Sequence, residues 1–278
     1  MKTKIIGKIL IYFLLISFPM SLFSQTKNPE DINDWKNKTI LVFAAHPDDE
    51  TLISGSLAIL AKNGNDIYVV IYTSGNKGSR DLEMTSERLA EIRKKEDIKA
   101  NGVLGIPEEN MFFLGYDDGM LEYVPELELC EKACWFVRKY RPDAVFGFDP
   151  GDKWMQWHKT DHRMAAFVSV DGARAAAYHL YFPHHRIYDG LQPFTVRDFL
   201  FFDSNEPNYK VDVTDVTEIK IRSRIWHVSQ FGEGNLKYVG PEPDQQKLQE
   251  QLKLNSERIS KGEKMYENFR RVQSSLSF

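Results

Sequence analysis

The chain is 278 residues long, 42% apolar and 13% aromatic, with 36 Lys+Arg against 40 Asp+Glu and two cysteines. That apolar fraction excludes a disordered chain, and two cysteines exclude a disulfide-stapled mini-protein. A formal charge of −4 argues against a nucleic-acid partner, because domains that grip the phosphate backbone carry a basic excess.

Lys2, Lys4 and Lys8 precede an apolar run from Ile9 to Phe23, broken by Ser17, Pro19 and Ser21, with Ser24 just before Gln25. This order reads as a secretory signal peptide over residues 1–24. The run falls short of the roughly 20 residues of a membrane span and contains a proline. The expected mature chain is one exported domain, residues 25–278, periplasmic or secreted, with no stable membrane span. Loss of three lysines and no acids moves its charge from −4 to −7.

Residues 39–45 form a continuous apolar run rich in β-branched side chains, which suits a strand buried on both faces. A helical pattern follows over 49–62, stopped by Asn63-Gly64-Asn65. Residues 66–72 read as a second buried strand, 85–102 as a charged helix, 109–115 as a shorter strand, 127–140 as a helix and 143–148 as a fourth strand. A long helix is expected from Asp161 to about Tyr178, a less regular β region over 180–202 that leaves His184 and His185 at the surface, and a helix ending the 210–230 segment. The Glu- and Lys-rich 245–272 segment reads as helical. Strands alternating with helices imply an α/β fold: a Rossmann-like, mostly parallel sheet with helices on both faces. Cys130 and Cys134 stand four apart on a predicted helix, where Cβ atoms lie about 5–6 Å apart, too far for an unstrained disulfide. They are expected to be two packed thiols.

Chemistry concentrates at two strand ends. Ala45-His46-Pro47-Asp48-Asp49-Glu50 places an imidazole and three carboxylates directly after the first strand, where open parallel sheets bind ligands. Helix capping needs one acid, not three, and like charges this close repel unless a cation relieves them. Asp149-Pro-Gly-Asp152 and His158-Lys-Thr-Asp-His-Arg163 follow the fourth strand and converge on the same rim. A mixed His/Asp donor set suits zinc with an open position for water.

AHPDDE after a first strand, followed by TDHR at 160–163, resembles the zinc-dependent de-N-acetylases of the LmbE-like and PIG-L superfamily. Further matches run in order: Arg93 to Glu96 before Leu104-Gly-Ile106, the Leu114-Gly-Tyr-Asp-Asp-Gly119 turn, Val211-Asp-Val-Thr-Asp215 with Lys220, His227-Val-Ser-Gln230, and a closing helix at Tyr266-Glu-Asn-Phe-Arg270. The resemblance spans about 39–272. It implies that His46, Asp49 and His162 ligate zinc (iron(II) could use the same donors) and that Asp48 is the general base. Arg93 and one of Asp117 or Asp118 would contact substrate hydroxyls, and Asp161 would orient an imidazole. The family's second motif usually has a histidine three residues before the zinc ligand. Here that position is Lys159, so the oxyanion role would pass to His158, Lys159 or, as an acid placed elsewhere, His227, with His158 preferred.

The implied reaction is removal of an acetyl group from an N-acetylated sugar or glycoconjugate. Hydrolysis of another amide or ester, or carbohydrate binding without turnover, are the alternatives. Trp154 and Trp157 either stack on a sugar or pack at the rim. The 73–78 loop lacks P-loop spacing and reads as a rim loop. Oligomeric state has no signature in the sequence.

Overall fold

The computed structural model describes residues 30–152 and 160–273. The signal-peptide segment and the 153–159 segment, with Trp154, Trp157, His158 and Lys159, lie outside the described residues.

β1 (Thr39–Ala44) is buried along nearly its whole length, as a strand covered on both faces must be. It pairs in parallel with β2 (Asp66–Thr73) on one side and β4 (Ala144–Phe148) on the other. β3 (Met111–Tyr116) adds to β2, and β5 (Asp198–Phe202) to β4, both parallel. β7 (Tyr266–Gln273) then pairs antiparallel with β5, and β6 (Tyr209–Asp212) antiparallel with β7. The sheet has seven strands in the order β3-β2-β1-β4-β5-β7-β6. Chain direction across the sheet reverses at β1 and β4, the place where such folds open a crevice beyond the strand ends.

The longer helices are α1 (Ser54–Lys62), α2 (Ser86–Leu104), α3 (Glu126–Tyr140), α4 (Thr160–Ala176) and α7 (Gln245–Ser260), with shorter α5 (Pro183–Ile187) and α6 (Thr217–Arg224). Thr85 caps α2 by accepting from Arg88 N, and Gly105 closes it at φ 91°, the left-handed exit that glycine makes without steric cost. α3 packs so tightly on α4 that a Cβ at Gly172 would lie 2.5 Å from Ala133 Cβ and 2.6 Å from Cys130 O. Both cysteines are free thiols in this contact, and burial pushes their pKa values up to about 11 for Cys130 and about 12 for Cys134.

Four expected elements change. The 49–62 helix is split into a 3-10 turn, Asp49–Leu52, and α1, because the Asp49 carboxylate turns back onto the β1 exit. The 245–272 helix stops at Ser260; Gly262 turns the chain at φ 83° and residues 266–273 form β7. There Glu267, Phe269 and Arg271 are buried and their neighbours are not, a period of two rather than 3.6. The 180–202 region contains α5, started by Pro183. Its His185 is buried rather than exposed, between Arg138 and Glu131. The 210–230 segment begins as β6 and ends its helix at Arg224. No described helix is long and apolar enough to cross a membrane.

Candidate metal centre

The exit of β1 is folded by Asp49, whose Oδ2 accepts from Ala45 N at 2.9 Å and His46 N at 2.7 Å. These bonds bring the Asp49 carboxylate under the His46 ring. His162 enters from the first turn of α4, its ring stacked on Phe148 at the end of β4 with centroids 4.1 Å apart. The adjacent central strands β1 and β4 thus supply one triad, and all three side chains are buried.

His46 Nδ1 lies 3.1 Å from His162 Nε2 and 3.5 Å from Asp49 Oδ2, and His162 Nε2 lies 3.2 Å from Asp49 Oδ1. Ligands about 2.0–2.1 Å from a tetrahedral zinc stand about 3.3–3.4 Å from one another. The three donors therefore match the edges of such a site. Their electrostatics match as well. Burial alone would lower the His46 pKa, but hydrogen bonds to Asp118, Asp161 and Asp49 outweigh it and hold the ring well above its ordinary value. Asp49, which burial would raise, is held well below the carboxylate range by His162 and His46. The cluster favours positive charge at its centre.

His46 Nε2 faces away from the triad, 3.1 Å from Asp161 Oδ2 and 3.1 Å from Asp118 Oδ1. A hydrogen on Nε2 shared with these acids leaves the Nδ1 lone pair for a cation, the arrangement that orients metal-binding imidazoles. Asp161 is itself fixed by Gly119 N at 2.5 Å and Leu121 N at 3.1 Å. Of the two adjacent acids, Asp118 therefore reaches the site. Asp117 stands on the rim, where Asn76 donates to it at 2.8 Å and Lys77 lies 3.4 Å away.

Asp48 sits at φ 135°, a strained conformation for a residue with a side chain. Burial lifts its pKa to about 6, with Arg93 opposing the rise and Asp49 adding to it. Arg93, expected to contact substrate hydroxyls, is turned inward. It is buried behind Asp48, with Nη2 3.1 Å from Asp48 Oδ2 and 2.8 Å from Pro47 O, and Nη1 3.0 Å from Gly75 O. A Cβ at Gly75 or Gly78 would fall 2.5 or 2.8 Å from that guanidinium, so the glycines of the rim loop make room for Arg93.

His227 is fully buried, and burial together with Arg93 and Arg224 drives its pKa down to about 3. So low a value leaves the ring neutral near neutral pH. The contact missed in that motif is Ser229. Its N and Oγ donate to Glu96 at 2.9 and 2.7 Å, tying the motif to α2 one turn from Arg93. Asp149 is engaged by Arg270 and stands outside the triad. A second His/Glu group, Glu131, His184 and His185, is poorly suited to a metal. Arg138 Nη1 lies 3.2 Å from His185 Nδ1, and an arginine donor there places the ring hydrogen on Nε2, the atom that faces Glu131.

Residues 41–172 match the family described as PIG-L: GlcNAc-PI de-N-acetylase. The chain is 31% identical over 206 residues to a diacetylchitobiose deacetylase of Thermococcus kodakarensis, covering 73% of each chain. It is also 31% identical over 131 residues to a probable N-acetylglucosaminyl-phosphatidylinositol de-N-acetylase of Dictyostelium discoideum, covering 45% of this chain and 47% of that one. Among solved structures, it resembles the N,N'-diacetylchitobiose deacetylase of Pyrococcus horikoshii with a TM-score of 0.69 and 26% identity, covering 85% of this chain and 84% of that one.

Proposed function

The chain belongs to the PIG-L (LmbE-like) family, and from that membership we propose that it is a zinc-dependent amidohydrolase removing the acetyl group from an N-acetylated sugar or glycoconjugate. The observation that carries this reading is the His46, Asp49 and His162 triad with Asp48 beside it and outside the ligand set. Two imidazoles and a carboxylate suit zinc, with iron(II) the competing occupant. When bound, the metal supplies Lewis acidity, making water acidic near neutral pH and polarising the acyl oxygen.

This chain's own residues do the rest. Asp48, with its pKa of about 6, is ionised near neutrality yet basic enough to take a proton from attacking water. The proton it gains is the one the leaving amine needs when the C–N bond breaks. Arg93 holds the carboxylate in place and keeps it charged. Asp161 fixes the His46 ring, and Asp118 offers its carboxylate to a substrate hydroxyl. His158 is our assignment for stabilising the oxyanion, with Lys159 next. With residues 1–24 read as a signal peptide, the substrate is a glycan outside the cytoplasm. A carbohydrate-binding protein without turnover would have no use for Asp48.

The test is acetate release by zinc-loaded protein over a panel of N-acetylated mono- and oligosaccharides, with Asp48→Asn alongside. Release by the wild type that disappears in the variant supports the reading. No release from any saccharide, with zinc bound, overturns it.

A further inference from the structure

The helical pattern that begins at Asp49 is interrupted between the 3-10 turn Asp49–Leu52 and α1. Ile53 is the junction, at φ −123° and ψ 14°, far from the helical pair of about −63° and −42°. In an unbroken helix the carbonyls of Thr51 and Leu52 would accept from the amides of Gly55 and Ser56, each four residues on. Here all four groups have partners from elsewhere in the chain. Lys220 Nζ, on α6, donates to Thr51 O at 2.8 Å and to Leu52 O at 3.3 Å. Gly55 N donates to Glu267 Oε1, on β7, at 2.9 Å, and Ser56 N to Glu267 Oε2 at 2.8 Å. Lys220 Nζ and Glu267 Oε1 are 2.5 Å apart. One ion pair is thus inserted into two adjacent rungs of the helix ladder, its cation on the carbonyls and its anion on the amides.

The insertion satisfies every group it touches. The Glu267 carboxylate serves α1 as an N-cap side chain would, a service for which Ile53, at the cap position, has no oxygen. A Cβ at Gly55 would lie 3.0 Å from Glu267 Oε1 and 2.8 Å from Val213 Cβ, so the glycine leaves the carboxylate its way in. Glu267 is buried, and a buried carboxylate needs the cation and donors it has here. The break also decides where the ligands point. Asp49 Oδ2 reaches back to Ala45 N and His46 N only because its turn stands apart from α1. A 3-10 turn winds about 120° per residue and an α-helix about 100°. Closing the ladder would therefore rotate Asp49 by about 80° over four residues and carry its carboxylate away from His46 and His162.

We propose that the Lys220–Glu267 pair is a wedge that keeps this helix open, and that both are positioning residues for the Asp49 ligand and the Asp48 base. The inference rests on the metal reading of the triad above. Its test is a Lys220→Met, Glu267→Met double variant, which removes both charges together and leaves neither buried alone. Two quantities are measured: the Cα chemical shift of Ile53 by NMR in metal-free protein, and zinc affinity by competition with a chelator of known affinity. In the double variant the Ile53 shift is expected to move into the helical range and zinc affinity to fall about tenfold or more. Lys220→Met alone, at a partly exposed side chain, is read the same way if the double variant does not fold. Gly172→Ala, which crowds the α3–α4 contact, is the control for lost stability and should keep both values. An Ile53 shift that stays in place or moves to the random-coil value overturns the wedge. So does a zinc affinity equal to that of the wild type, or an equal fall in Gly172→Ala. If the wild type binds no zinc, the metal reading fails separately and the Ile53 shift alone decides.

Discussion

Arg93 approaches Asp48 to 3.1 Å from inside the protein, and the same guanidinium holds the carbonyls of Pro47 and Gly75. The proposed base is therefore backed by a cation that solvent does not reach, on a strand exit whose backbone that cation also fixes.

Arg93→Met should remove the positive charge that opposes the rise of the Asp48 pKa above about 6. The base would then be protonated in a larger fraction of molecules at neutral pH. A fall in kcat/KM of about tenfold or more at pH 7 is expected, partly recovered as pH rises, with zinc content unchanged. A pH–rate profile whose acid limb does not move upward would remove Arg93 from this role.

Asp161→Asn keeps the shape of the side chain but weakens its hold on the His46 Nε2 hydrogen. Loss of such a partner typically costs about 10–100-fold in metal affinity. Competition with a chelator of known affinity measures it, and an unchanged zinc affinity would contradict the orienting role.

His227 predicts acid sensitivity. Its folded pKa of about 3 lies below the ordinary 6.5, so between those values the unfolded chain binds the extra proton. The neutral ring costs nothing above pH 6.5, and stability is lost as pH falls from there towards 3. At pH 5 the loss is about 2 kcal/mol. Asp48 and Glu96, whose carboxyls burial raises to about 6 and about 7, act in the opposite direction over the same range. The His227 contribution is therefore read by urea unfolding of metal-free protein at pH 7 and pH 5, as the difference between wild type and His227→Leu. The variant should be less destabilised at pH 5 than the wild type by about that amount.

Gly172→Ala should destabilise without touching the chemistry. The new Cβ would meet Ala133 Cβ at 2.5 Å and Cys130 O at 2.6 Å, and overpacking of this kind costs about 1–3 kcal/mol. Thermal unfolding should drop while kcat/KM, measured well below the transition, holds.

Much of the site was legible because its residues lie where strands end. His46, Asp48 and Asp49 follow an unbroken apolar strand, and Asp161 and His162 start the helix after another, so periodicity alone placed them on one rim. The choice between Asp117 and Asp118 was not legible, since adjacent acids have no spacing to separate them. Asn76 and Lys77, which hold Asp117 on the rim, lie about 40 residues away in a loop with no periodic signal. The position of Arg93 depends equally on missing side chains, because Gly75 and Gly78 admit the guanidinium beneath the loop. β7 was hidden by its charges. Glu267 and Arg271 are buried in ion pairs with Lys220 and Asp198, and a strand whose inward face carries charge gives no apolar alternation to read.

The place of β7 also sets an order of assembly. It is made after β6 yet lies between β5 and β6, and its Glu267 receives the N–H groups of Gly55 and Ser56, more than 200 residues upstream. A nascent chain that has not reached residue 266 leaves β6 without a neighbour and the start of α1 without its acceptor. Contacts over such separations form late and slowly. The turn between β1 and α1 that carries His46, Asp48 and Asp49 is therefore locked by a strand made more than 200 residues after it, and removing β7 alone would loosen that turn while leaving the triad's three side chains in the chain.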